Sequence, residues 1–201
     1  PNSIAQSFSV RSLLVISPLT GGNCSVRFLN SPIQDACQNQ RWIHNPAAID
    51  PDGDSLSYEP AICLGLGGQP IGGYEFPGPN YSIDPQTGTI IWDAPVVSGE
   101  YNIAFIVREW RFRNGQWRQV GYVTRDMQIT VVPCNNRPPV ISQEVDTCVE
   151  AGTLLTFNVQ ASDPDVGQTV SLTALGQPFE LSQSPATFLA PTPANSVNGV
   201  F

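Results

Sequence analysis

The sequence predicts an all-β protein built from tandem antiparallel β-sandwich modules, and three observations predict it. Apolar residues alternate instead of recurring at helical spacing. In LLTFNVQAS (154–162) Leu155, Phe157, Val159 and Ala161 share one face, and in YNIAFIV (101–107) Tyr101, Ile103, Phe105 and Val107 do the same. The 201 residues include 19 prolines and 17 glycines, which divide the chain into short strands joined by turns. Finally, Asp-Pro-Asp occurs twice, at 50–52 and 163–165, in similar surroundings.

Superposing the two Asp-Pro-Asp stretches brings Cys37 near Cys148, Trp42 onto Leu155, His44 onto Phe157 and Ala48 onto Ala161. NSP (30–32) falls near NRPP (136–139), where Pro138 and Pro139 lack amide donors and stiffen a junction. Four segments follow. Residues 1–23 read as the closing strand of a preceding module or an N-terminal extension, because SVRSLLVIS (9–17) is like YVTRDMQITVV (122–132). Residues 24–133 read as a complete sandwich, 134–137 as a linker, and 138–201 as an incomplete second sandwich without counterparts of IIW, YNIAFIV and MQITVV.

Hydrophobic content of 41% with 13% charged residues is that of a globular chain. The net charge is −8, and all nine basic residues are arginine. That balance argues against nucleic acid or an anionic bilayer as the main partner. No run of apolar residues is long enough for a membrane-spanning helix. None of the five cysteines forms a CxxC pair, which disfavours a zinc ribbon or thioredoxin motif. Cys24 and Cys37 stand 13 positions apart, and Cys134 and Cys148 stand 14. The repeated spacing predicts disulfides Cys24–Cys37 and Cys134–Cys148 in an oxidising compartment, leaving Cys63 unpaired.

AxDPDGDSLSY, then YSIDPQTGTIIWDAP, GEYNIAFIVREW and a proline-rich junction, resembles the cadherin-like, immunoglobulin-like sandwich family. NSIAQSF, ACQNQRWIHNPAAIDPDGDSLSY, CLGLGGQPIGGY and RDMQITVVPCNNRPPVI further resemble repeats of large gliding-motility-associated surface proteins of Bacteroidota. The resemblance implies extracellular, type IX-secreted repeat modules with no enzymatic role. It also implies a calcium ligand set. Asp163 and Asp165 match the family's DxD, Asp50, Asp52 and Asp54 hold the equivalent earlier position, and Asn135 and Asn136 stand at the linker.

The residues themselves leave two readings of the acidic stretches. An EF-hand loop starting at Asp50 would need Gly where Ser55 stands and Glu where Ala61 stands, so that form is excluded. What remains is a β-turn built by Asp-Pro and Asp-Gly, or a single bound calcium. The only histidine, His44, falls on the inward face of a strand, as a core imidazole rather than a catalytic base. GLGGQPIGG (65–73) lacks the Lys-Ser/Thr and the helix of a phosphate loop.

FRNGQW (112–117) contains the preferred type I′ turn, Asn114-Gly115, which pairs Phe112 with Trp117 and Arg111 with Arg118. Yet the apolar face Val123, Met127, Ile129 and Val131 can meet Tyr101–Val107 only with the register moved by one residue. A bulge at Gly121 reconciles the two. The tip then projects Trp110, Phe112, Trp117, Arg111 and Arg118, either as a self-covering cation–π ladder or as a contact surface. The sequence thus reads as a non-enzymatic structural or adhesive module at the cell surface. Its partners would be neighbouring modules, surface glycans or other surface proteins. The alternative is a carbohydrate-binding module using the hairpin at 108–118.

Overall fold

A computed structural model describes residues 7–78, 80–142 and 147–201. The first six residues of the expected N-terminal segment, and 143–146 in the second module, lie outside the described residues. The chain divides into two compact units, Pro1–Cys134 and Asn135–Phe201. Both are built of strands, with two short 3₁₀ turns and no α-helix among the described residues. The protein is all-β.

In the first unit the strands are β1 (Ser12–Leu14), β2 (Arg27–Phe28), β3 (Asp35–Cys37), β4 (Trp42–His44) and β5 (Ala48–Ile49). They are followed by β6 (Ser55–Ala61), β7 (Tyr81–Ile83), β8 (Ile90–Trp92), β9 (Gly99–Arg113) and β10 (Gln116–Val132). One sheet runs in the order β1-β10-β9-β6, with β3 also on β10, and a second in the order β4-β8-β7. Their inner faces form one core. Ile103, Phe105 and Val107 on β9, and Met127, Ile129 and Val131 on β10, pack in one cluster with Trp42, Ile90 and Trp92 of the second sheet. The odd-numbered inward face of YNIAFIV is thus the one the structure buries. Residues 7–23 belong to this unit, since β1 pairs antiparallel with β10 along its own main sheet.

Within the β9–β10 hairpin, Trp117 faces Phe112 and Arg118 faces Arg111, while further down Val123 faces Val107 and Met127 faces Ile103. The two registers meet at a bulge between Gln119 and Gly121. Val120 is the extra residue, and its side chain is fully buried. Gly121 is not required here for a left-handed backbone. Instead, a Cβ at this position would overlap the carboxylate of Glu109, its cross-strand partner. Gly121→Ala is therefore expected to destabilise the unit by about 1–3 kcal/mol through overpacking, measured by denaturant unfolding.

One pairing departs from the antiparallel scheme. β3 lies parallel to the end of β10, with Ala36 beside Val131 and Cys37 beside Val132. This brings Cys37 and Cys134 to a Cα–Cα distance of 5.5 Å, and they form a disulfide. The pairing read from cysteine spacing is corrected: Cys24 and Cys148 are exposed free thiols, and Cys63 is a buried one. Equal spacing in sequence is only local information. Here a parallel strand contact decides which sulfurs meet.

The second unit contains β11 (Val140–Ile141), β12 (Asn158–Ser162) and β13 (Ser196–Val200), paired antiparallel in that order. Leu155, Phe157 and Val159 are half-buried and Ala161 is buried, whereas their even-numbered neighbours are exposed. Ala161 packs with Val170, Leu172 and Val197 in a small core.

His44 is 2% exposed and stacks obliquely against Trp42 at 5.9 Å. Burial, aided by the positive charge of Arg125, pushes its pKa down to about 4. The unfolded chain takes up the proton first, so the stability held above the ordinary pKa near 6.5 is lost as pH falls toward 4. The loss should be on the order of 2–3 kcal/mol. His44→Phe, the residue type at the aligned position 157, should remove that part of the pH dependence. Urea unfolding at pH 7 and pH ~4.5 for both proteins checks it, the remaining titrating groups being common to the pair.

Candidate functional site

The Asp-rich loop connects β5 to β6. Asp50 shapes it: its Oδ1 accepts the amides of Asp52 at 2.9 Å and Asp54 at 3.1 Å. Gly53, at φ +80°, completes the turn. Asp50, Asp52 and Asp54 each offer an oxygen within 4.8 Å of the others. Asp52 Oδ2 accepts the amide of Cys24 at 2.5 Å.

Arg111 points into this loop, away from the tip of the hairpin. Its Nε donates to Asp54 Oδ1 at 2.7 Å and its Nη2 to Asp54 Oδ2 at 2.5 Å, a two-pronged grip on one carboxylate. Nη1 donates to the carbonyls of Thr20 and Gly22, both at 2.8 Å, and Nη2 donates to Asn23 Oδ1 at 2.8 Å. All five N–H donors of the guanidinium are thereby used. Asp52 Oδ2 lies a further 3.5 Å from Nη2.

Beside this group, on the core face of β9, Glu109 is fully buried. It accepts the amide of Val26 at 3.1 Å and the side-chain amide of Asn23 at 2.6 Å. Asn23 thus bridges Glu109 and Arg111. Burial raises the pKa of both Glu109 and Asp50, with the neighbouring carboxylates adding to the effect and hydrogen bonds opposing it. Neither Glu109 nor Asn23 was among the residues singled out from sequence. The signal for Glu109 was an acid at an inward, odd-numbered position of β9.

The second acidic loop follows the same plan. Asp163 Oδ1 accepts the amide of Asp165 at 2.8 Å. Asp165 in turn accepts the amide of Arg137 at 2.7 Å and its Nε at 2.8 Å. These bonds hold the Asp165 carboxyl below its ordinary pKa. Asn136 accepts from Gln168 at 2.6 Å, and Asn135 is exposed. The residue that meets the second acidic loop is Arg137, which the sequence reading left out. In the first unit the Arg111 guanidinium engages both oxygens of Asp54, and in the second the backbone amide and guanidinium of Arg137 together engage both oxygens of Asp165, while calcium wants six or more oxygens. The acidic residues as arranged do not fit that ion.

The hairpin arginines disperse. Arg108 pairs with Glu59 and covers the ring of Tyr122 at 5.8 Å, while Arg125 covers Phe28 at 5.0 Å. Arg118 donates to Gln116 at 3.1 Å. Trp110 does not project as expected. It is half-buried beside β6, opposite Ser55, and donates to Ser57 Oγ at 2.8 Å. Phe112 and Trp117 are 55% and 59% exposed, with ring centroids 5.2 Å apart. The tip is an aromatic pair.

A further buried polar group centres on Cys63. Cys63 is 1% exposed, and burial pushes its thiol up to about 12. Nearby, Tyr74 donates to the Asn102 carbonyl at 3.2 Å and the Asn102 side chain donates to Asp126 at 3.2 Å. A thiol so placed is protonated and shielded from solvent.

Fold and sites together define a two-unit, disulfide-bonded all-β protein with arginine-gripped acidic loops and an aromatic hairpin tip. No protein-family model matches the chain, and no curated protein matches it in sequence.

Proposed function

We propose that the chain is a non-enzymatic, load-bearing repeat of an extracellular or cell-surface protein, of the gliding-motility-associated kind its motifs resemble. The disulfide carries this reading. It joins Cys37 to Cys134, at the end of the first unit, across 97 positions. Tension entering at Cys134 crosses directly to Cys37 and bypasses the chain between them. A module built to transmit force outside the cell gains from such a bypass, and a disulfide persists in that compartment. The shielding of His44, Cys63 and Glu109 from solvent supports a structural rather than catalytic use of these groups. Antibodies against the chain should label intact, unpermeabilised source cells, and external protease should remove the label. Labelling that requires permeabilisation would overturn the reading.

The exposed ring pair supports a second reading, in which the hairpin tip docks on a glycan. Aromatic rings stack on the apolar faces of sugars, and exposed Trp is enriched in binding hot spots. Trp117→Ala should then reduce retention on the bound polysaccharide at least tenfold in affinity electrophoresis. Unchanged retention of the variant removes the tip from the interaction.

A further inference from the structure

We propose that arginine residues of the chain occupy the cation position of both acidic loops, so that the fold is calcium-independent and Arg111 masks a latent divalent-cation site. This inference does not depend on the surface-protein reading. In the first unit Arg111 binds Asp54 and lies 3.5 Å from Asp52, two members of the Asp50, Asp52 and Asp54 cluster, and Asn23 links it to Glu109. Arg111 resembles a coordinated ion in two respects: it is enclosed, with a side chain 10% exposed, and all its donors end on oxygen. Those oxygens come from Asp54, Asn23 and the carbonyls of Thr20 and Gly22, the hard ligands that calcium takes. Asp50 supplies a separate indication. It is 4% exposed, and its Oδ2 is buried without a hydrogen-bond partner. The guanidinium, its donors spent, leaves this buried acceptor unsatisfied, as an incomplete substitute for an ion would.

The second unit reaches the same solution from a different strand position. There the arginine comes from the segment before β11, and Arg137 binds Asp165 with backbone and side chain together. That pair is more open, with side chains 60% and 20% exposed. Two unrelated arginines meeting two repeated Asp-Pro-Asp loops point to replacement of the ion rather than to a chance contact. A tethered cation needs no free ion to keep the loop folded, and it cannot be removed by chelation.

Thermal unfolding of the full chain in EDTA and in millimolar calcium tests the proposal. The wild-type melting temperature is expected to be the same in both. Arg111→Gln should melt lower than wild type in EDTA, and calcium should raise it again, because an ion that binds only the folded state stabilises it. Adding Asp54→Asn should abolish that response. Arg111→Lys keeps the charge and should stay insensitive to calcium. Arg137→Gln, at an exposed pair, should shift melting little. If Arg111→Gln is unfolded in EDTA, recovery of its β-sheet circular dichroism on adding calcium supports the proposal. A calcium-induced rise in the wild type overturns it, and so does an Arg111→Gln protein, folded or unfolded, that does not respond to calcium.

Discussion

Pulled from its two ends in oxidising buffer, the chain is expected to withhold most of the length of its first unit. The Cys37–Cys134 bond removes 97 positions from the path of the force. At ~3.3–3.6 Å per extended residue, that is about 320–350 Å of contour that no unfolding event can release. After reduction, or in Cys134→Ser, the same unit should release this length as an added extension step. Force spectroscopy on the single molecule reads the difference directly. The step is large against the 5.5 Å that separates the two Cα atoms in the folded unit. The same bond should matter at equilibrium. Closing a loop of this size restricts the unfolded chain by roughly 4–5 kcal/mol in the chain-entropy argument. Since whole domains are stable by only ~5–15 kcal/mol, the reduced unit should be marginal at 37 °C. If the reduced and oxidised chains released equal lengths, the unit would not be covalently closed and the load-bearing proposal would lose its support.

The parts of this fold that follow from short-range pattern were legible in the sequence. Alternation marked Ile103, Phe105 and Val107 as one inward face, and the structure buries all three. The bulge near Gly121 followed from the conflict between a two-residue turn and the apolar register below it. Contacts that depend on which distant strands become neighbours were not legible. Cys37 meets Cys134 because β3 runs parallel to the end of β10, and a parallel contact between distant segments leaves no period in sequence. Trp110 was placed at the projecting tip because the pairing of β6 with β9, which sets Ser55 opposite it, lies outside the hairpin itself. Arg111 was assigned correctly to its cross-strand neighbour Arg118 but not to its use. Its partners, Asp54, Asn23 and the carbonyls of Thr20 and Gly22, come from two other segments.

Phe105→Ala and Trp117→Ala, two aromatic truncations on one hairpin, should have very unequal effects on stability. Phe105 is fully buried in the core of the first unit and meets Phe28 of β2 in an edge contact at 6.3 Å. Its removal loses the transfer energy of the ring and leaves a cavity that close-packed neighbours fill only in part. The expected cost is about 3–5 kcal/mol in denaturant unfolding, with an unchanged slope if the unit stays two-state. Trp117, 59% exposed, faces Phe112 across the turn, so its loss forfeits mainly one open ring contact. That should cost about 1 kcal/mol or less. The contrast makes Trp117→Ala usable as a probe of ligand binding, because lost retention on a glycan could not then be ascribed to unfolding. Should Trp117→Ala destabilise the unit as much as Phe105→Ala, the tip would be part of the core's support, and the exposed ring pair would no longer favour a docking role.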